Sequence, residues 1–493
     1  VKKIKQNNIL IIGAGFSSLS AACYLAKWGY NVTVLEKNNS IGGRARQLKR
    51  DGFLFDIGPT WYWMPDVFEL FFSDFGKKPS DFYKLIKLNP AYKVYFGEQD
   101  SINISDTLED IYSVFEQEEK GSSKHLKSFL KSAEENYNIA IKDLVYSPGN
   151  SFTELITPKT ITKLNLFFTS ISKQIRSKIK SKKLIQILEF PVLFLGAKPS
   201  NTPSFYNFMN HADFGLGTWH PKGGMYKVVE ALELLAKNLG VIIKTEQDVS
   251  EILIENNKAI GVKVNGESVF ADIILSGADY KHTESLLPFK LRTYTESYWQ
   301  KKIFAPSALL FYVGFGKKLK NIAHHTLFFD TDFNLHANAI YDNPRWPEKP
   351  LFYASFPSVT DNCFAPENKE AATFLIPLAP GIDDTPEIRE QYFNQIINRL
   401  EFITQQSISN DVLFKESYCV NDFIKDYNSY KGNAYGMANT LMQTAFLRPK
   451  IKSKKVSNLY FTGQLTVPGP GVPPSLISGK IAAQQIFKNY HKN

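Results

Sequence analysis

Residues 9–46, ILIIGAGFSSLSAACYLAKWGYNVTVLEKNNSIGGRAR, leave this chain few choices of fold. Ile9, Leu10, Ile11 and Ile12 form a short apolar run that enters Gly13-x-Gly15 directly, and Leu19, Ala22, Leu25 and Ala26 follow at helical spacing until Gly29. A second strand over 32–35 ends at Glu36, 21 residues beyond Gly15. This is a β-turn-α-β unit suited to a dinucleotide. The glycines admit backbone N–H groups to a pyrophosphate, the helix start faces its charge, and Glu36 accepts from a ribose hydroxyl. Ser18 stands where the fingerprint has its third glycine, and is small enough to keep helix and strand close.

The next residues narrow the nucleotide. Gly42-Gly43-Arg44-Ala45-Arg46 lies just beyond the second strand, followed by Phe53-Leu54-Phe55-Asp56-Ile57-Gly58-Pro59-Thr60. A Gly-Gly-Arg turn there brings backbone and guanidinium to a diphosphate or a ribityl chain, which favours FAD over a nicotinamide cofactor. Trp61-Tyr62-Trp63 comes next, and Trp61 and Trp63, with the later Trp219, are placed against an apolar substrate. Ordinary core packing is the alternative for such a cluster.

Composition sets the remaining limits. At 493 residues the chain divides into two or three lobes, and 43% hydrophobic with 22% charged residues is the balance of a folded protein. The 38 Phe and 24 Tyr suit a large apolar cavity as well as cores. Cys23, Cys363 and Cys419 are too scattered for a disulfide framework or a zinc site, and a reducing cytoplasm fits them best. No apolar run reaches the ~20 residues of a membrane span, and the first strand is too short for a signal-peptide core.

The net charge of +10 is concentrated. Between Glu154 and Glu189 there is no acid, whereas Lys159, Lys163, Lys173, Arg176, Lys178, Lys180, Lys182 and Lys183 all fall there. Leu164, Phe167, Phe168, Ile171, Ile175 and Ile179 recur at helical spacing in the same window, which reads as a basic amphipathic helix leading into the apolar run 190–195. Such a helix suits peripheral contact with an anionic membrane surface; a solvated helix with its apolar face inward is the alternative. No nucleic-acid motif accompanies the charge.

The fold class expected is α/β, α+β overall. Residues 1–75, 216–289 and 441–493 form a Rossmann-like FAD-binding domain from discontinuous segments. Residues 76–115 and 290–440 form a sheet-containing substrate domain, and 116–215 a helical, membrane-associating lobe. His324, His325 and His336 have no carboxylate or cysteine at ligand spacing, so no metal is assigned. Near the end, Asn458-Leu459-Tyr460-Phe461-Thr462-Gly463-Gln464 reads as a strand. Pro468-Gly469-Pro470-Gly471-Val472-Pro473-Pro474 then leads into a helix over 475–487 whose positive N-terminus suits the pyrimidine end of a flavin.

Together GAGFSSLSAACYLAKWGYNVTVLEK, IGGRARQLKRDGFLFDIGPT, WHPKGGM and NLYFTGQLTVPGPGVPPSLISGKIAAQ resemble the FAD-dependent bacterial phytoene desaturase family of carotenoid desaturases, almost end to end. The resemblance implies that Gly13, Gly15, Ser17 and Ser18 lie on the diphosphate, Glu36 and Lys37 near the adenosine ribose, and Gly43, Arg44 and Ala45 along the diphosphate and ribityl chain. It places Gly58, Pro59 and Thr60 at the flavin, Val249 at the adenine, and Gly463, Gln464, Gly471 and Val472 at the ribityl and pyrimidine region. Pro473-Pro474 departs from the family's more common Pro-Gly. The implied reaction is carotenoid biosynthesis: hydride leaves a CH–CH bond beside a polyene for flavin N5, and no catalytic base is assigned. The substrate would be an acyclic or partly cyclised polyene, taken from the inner face of the cell membrane, with oxygen or a quinone as terminal electron acceptor. A phytoene desaturase and a hydroxycarotenoid 3,4-desaturase both fit. A flavin amine oxidase, a retinoid saturase and a non-enzymatic prenyl binder resembling Rab GDP-dissociation inhibitors are alternatives on related scaffolds.

Overall fold

In the computed structural model the described residues are 7–155, 160, 163 and 165–491. The apolar run becomes strand β1 (Asn8–Ile12), helix α1 covers Phe16–Lys27, and strand β2 covers Asn31–Leu35. These strands are the centre of a five-stranded parallel sheet whose order is 459–461, 273–276, β1, β2, 242–244. In register Ile11 sits between Leu275 and Val34, so β1 is hydrogen-bonded on both edges. Its run is accordingly apolar on both faces, as expected of a buried parallel strand.

Every residue of α1 from Phe16 to Leu25 is buried, because two other helices cover it: Tyr226–Asn238 and the C-terminal Val472–Tyr490. The C-terminal helix approaches very closely. A Cβ at Gly479 would lie 2.3 Å from the Ser17 carbonyl oxygen and 2.8 Å from the Ala21 nitrogen. The opposite face of the sheet packs Leu10, Ile12 and Ile274 against a three-stranded antiparallel sheet of 249–255, 258–264 and 267–270.

A seven-stranded mixed sheet forms the second layer system, in the order 412–418, 307–315, 370–378, 352–355, 325–328, 92–97, 100–104. Strand Ser307–Phe315 is buried at every position. Helix Pro386–Thr404 covers one face through Ile396, Ile397 and Leu400, and the other face turns toward the nucleotide unit.

The basic segment departs from a single helix. It folds as Asn165–Phe168, Ile171–Arg176 and Lys182–Glu189, because Ser170 and Ser181 accept from the backbone N–H groups of Lys173 and Leu184 and so start new helices. Ile171, Ile175 and Ile179 are buried, and Lys163, Arg176 and Lys183 pair with Glu135, Glu189 and Asp100. Lys159 and Leu164 lie outside the described residues, as do the side chains of Phe194 and Leu195. Among the described residues no helix is long and apolar enough to cross a membrane.

Candidate active site

The first glycine turn is set by backbone geometry. Gly13 has φ +86°, and its N–H donates to the Leu35 carbonyl at 2.7 Å, closing the turn between β1 and α1. Helix α1 begins at Gly15 with no side-chain cap and no acid in its first turn, so its leading N–H groups and partial positive charge remain available to an anion. At the end of β2 Glu36 is buried. Its Oε2 accepts from Ala14 N–H at 2.8 Å, and its Oε1 accepts from the Asn38 backbone and side-chain N–H groups at 2.9 Å each.

The Gly-Gly-Arg turn lies on this glycine turn. Gly42 donates to the Ala14 carbonyl at 2.8 Å, and a Cβ at Gly43 would stand 3.3 Å from Gly15 Cα. Gly58 is seated still more tightly, since a Cβ there would meet the Arg44 carbonyl oxygen at 2.2 Å. From the far end of the chain Gly463, with φ +106°, donates its N–H to Ser478 Oγ at 2.9 Å and brings the loop beside Ser17.

These turns border one cavity of about 610 Å³. Gly13, Gly15, Ser17, Glu36, Lys37, Gly43, Arg44 and Ala45 line it, as do Gly58, Pro59, Thr60, Val249, Gly463, Gln464, Gly471 and Val472. Trp61 and Trp63 line it as well. Ser18 and Trp219 do not. Ser18 is buried beneath α1 against Gly277, where a Cβ would lie 2.0 Å from Ser18 Oγ. The room a third glycine would leave is thus provided from the opposite side, by Gly277 and Gly479. Trp219 instead pairs with Lys87 and Tyr62, and its indole N–H donates to the Leu216 carbonyl.

Other lining residues carried no local signal. The segment 426–435 folds back over Arg44, whose Nη2 donates to Ser429 Oγ at 3.2 Å and to the Asn433 carbonyl at 3.3 Å, with its guanidinium over the Tyr427 ring. With its amide oxygen turned toward them, Gln464 accepts from Arg44 Nη2 at 3.1 Å and from Gly436 N–H at 3.2 Å. Lys37 Nζ donates to the Lys425 carbonyl at 2.6 Å. Asp279 lines the cavity on the same side; burial pushes its carboxyl up, against hydrogen bonds from His282 and Tyr430 that pull it down. Away from the glycine turns the wall becomes aromatic and aliphatic, with Phe190, Phe208, Leu327, Phe329, Ile340 and Leu351.

His324, His325 and His336 are buried, and among the described residues no group of three or more His, Cys, Asp or Glu could hold a metal ion. His336 lines the cavity, where Nδ1 accepts from Leu351 N–H and Nε2–H donates to the Pro377 carbonyl.

Residues 16–487 match the family model described as flavin containing amine oxidoreductase. A carotenoid 3,4-desaturase of Haloarcula japonica is 38% identical over 491 residues, covering 99% of each chain. The chain belongs to this flavin family, on its carotenoid desaturase branch. A 4,4'-diapophytoene desaturase (4,4'-diaponeurosporene-forming) of Staphylococcus haemolyticus is 32% identical over 495 residues, covering 98% of this chain and 99% of that one. A putrescine oxidase structure has a TM-score of 0.63 at 14% identity, covering 98% and 99%; a Rab GDI from Plasmodium falciparum has 0.57 at 11%, covering 98% of each. These distant structures share the fold alone.

As a member of this family the chain is an oxidoreductase with FAD as its cofactor. The residues present fit that group. The uncapped α1 start, the glycine cradle that side chains would fill, and the buried Arg44 Nε without a hydrogen-bond partner all suit a diphosphate.

Proposed function

We propose that this chain is an FAD-dependent carotenoid desaturase, acting on an acyclic or partly cyclised polyene. The observation that carries the reading is the continuity of the cavity: the nucleotide groove passes Trp61 and Trp63 without interruption into the aromatic chamber around Phe190 and Phe329. A charged amine has no evident partner in that chamber, whereas a long hydrocarbon loses unfavourable contact with water along its whole length.

In this reading Gly13, Gly15, Ser17 and the α1 start hold the diphosphate, Glu36 holds the adenosine ribose, and Val249 packs the adenine. Gly463, Gln464, Gly471 and Val472 hold the ribityl and pyrimidine end. FAD, when bound, accepts a hydride. The chain's own part is to align the polyene, to keep water from the allylic cation left on the substrate, and to remove a proton from the adjacent carbon. A cation spread over a polyene is already stabilised, so alignment and dryness carry much of the catalysis.

Substrate arrives from a membrane in this proposal. Phe168 is 82% exposed and Met442 72% exposed, beside Phe167 and Thr444 of the cavity wall. Lys178, Lys180 and Lys182 are exposed and form no ion pair among the described residues. An apolar rim with free cations beside it suits an anionic lipid surface. Incubation of the FAD-loaded protein in liposomes with phytoene, and separately with a 1'-hydroxy-γ-carotene-type substrate, tests the reading. A red shift of polyene absorbance is expected with one of them, and no shift with any carotenoid refutes it.

A further inference from the structure

The cavity wall joins a chain of buried polar side chains that crosses the protein to a second cleft. Thr60 Oγ1 and Tyr353 Oη, both on the wall, share a hydrogen bond of 2.8 Å. Tyr353 Oη shares another, 2.6 Å long, with His325 Nδ1. The His325 ring stacks on Trp61 at 4.0 Å and lies 4.5 Å from the His324 ring, which lies 4.6 Å from the His220 ring. His220 Nε2–H donates to Asp361 Oδ2 at 3.1 Å, and Gly223 N–H donates to the same oxygen at 2.7 Å. Asp361 borders a surface cleft with Lys84 and Lys222.

Two observations set this chain apart from packed core histidines. His325 Nε2 and His324 Nδ1, on neighbouring rings, are buried without a hydrogen-bond partner, where most buried polar atoms are paired. The chain also runs from a water-excluding cavity to solvent, with a titratable or hydroxyl group at each step. Burial holds His324 and His325 well below the usual histidine range, so a proton passes through them without being trapped. At the far end burial pushes Asp361 up, but bonds from His220, Gly223 and Cys363 outweigh it and hold the carboxyl well below its usual range. Asp361 therefore stands ionised as an acceptor for His220.

We propose that Thr60, Tyr353, His325, His324, His220 and Asp361 form a proton relay that carries the substrate's proton from the cavity to the cleft between Lys84 and Lys222. This rests on the desaturation reading above. In the step concerned, a C–H bond next to the allylic cation breaks and its electron pair becomes the new C=C π bond. The proton goes to Tyr353 Oη as the phenolic proton moves to His325 Nδ1. His325 gives up its Nε2 proton to His324, His324 passes one to His220, and His220 passes its Nε2 proton to Asp361. Asp361 then releases one proton to solvent. No redox partner is needed beyond the hydride acceptor of the reaction itself. Tyr353 touches the substrate space and is the catalytic member; His324 and His220 act through it.

The test uses FAD-loaded protein in liposomes with phytoene, comparing wild type with His324→Phe, which keeps a packed ring, and Asp361→Asn, which keeps the side-chain shape. Turnover is expected to fall by at least about tenfold with KM unchanged, and the solvent deuterium isotope effect on turnover to rise. A second readout needs no turnover: exchange with D2O of the downfield proton shared by Tyr353 and His325, by NMR, in protein holding a fully conjugated polyene. A relay predicts slower exchange in both variants, because the path to solvent is cut. A structural role predicts the reverse, because loosened packing admits water. Unchanged turnover in both variants, or exchange that is unchanged or faster, overturns the relay. Should His324→Phe fail to fold, Asp361→Asn alone decides. Failure of the wild type to desaturate any carotenoid would instead overturn the function, and the exchange measurement would still judge the relay.

Discussion

Replacing Glu36 by Gln separates two roles that the structure places on one side chain. The carboxylate has about four acceptor positions, and three are taken by Ala14 N–H and the two N–H groups of Asn38, leaving one for a ribose hydroxyl. In Glu36→Gln one oxygen becomes an NH2. Whichever way the amide turns, that NH2 faces either Ala14 N–H or the Asn38 pair, and a buried donor loses its acceptor at a cost of about 1–3 kcal/mol. That cost falls on apo and loaded protein alike, and appears as a lower melting temperature of the apoprotein. The hydroxyl bond to a charged acceptor contributes about 1.5–3 kcal/mol, so its loss weakens FAD binding by about 10- to 150-fold. Titration of FAD into apoprotein, followed by quenching of tryptophan fluorescence, measures the second effect alone. An unchanged FAD affinity in a variant whose apoprotein melts earlier would refute the ribose role and leave Glu36 as a brace for the glycine turn.

Three further outcomes are expected. Gly58→Ala forces a methyl against the Arg44 carbonyl at 2.2 Å, an overpacking cost of about 1–3 kcal/mol or more against backbone that cannot rotate away; the flavin-to-protein absorbance ratio of the purified variant should fall. Burial pushes the Asp213 carboxyl up from 3.8 to about 8 despite the bonds from Tyr92 and Thr218, so the native state holds this proton more tightly than the unfolded chain does. Stability from this group is therefore full below about pH 4 and declines by about 1.4 kcal/mol per pH unit until about pH 8, and Asp213→Asn should melt progressively higher than wild type across that window. Neutralising Lys178, Lys180 and Lys182 should reduce sedimentation with anionic liposomes and make the remainder less salt-sensitive, whereas Phe168→Ser should reduce it at any salt; no change in either returns the segment to a solvated surface.

What the sequence revealed and what it hid divide by the range of the interactions. The β1-α1-β2 unit was legible because its signals are local: an apolar run, a glycine pair, a helical spacing and a terminal acid within one stretch. Arg44 was legible as a groove residue, but not its contacts, since Ser429 and Asn433 lie nearly four hundred residues away and neither carries a motif. Ser18 looked like a flaw in the fingerprint until Gly277 and Gly479 showed where the space had gone. The division of the basic segment was written in the sequence, in the capping residues Ser170 and Ser181, and the apolar spacing concealed it. Trp219 sits beside a conspicuous glycine pair, yet strand pairing with Lys87 takes it away from the cavity. The histidines read as unremarkable core because only the fold brings His220 and Asp361 beside His324.

The most direct test is a single anaerobic turnover of FAD-loaded protein mixed with polyene in liposomes, with the flavin and polyene bands followed together. A carotenoid desaturase bleaches the flavin band as the polyene band shifts to the red, in equal amounts, and leaves the flavin untouched when putrescine replaces the polyene. A protein that is colourless and cannot be loaded with FAD, or whose flavin bleaches with the amine and not with any polyene, would contradict it.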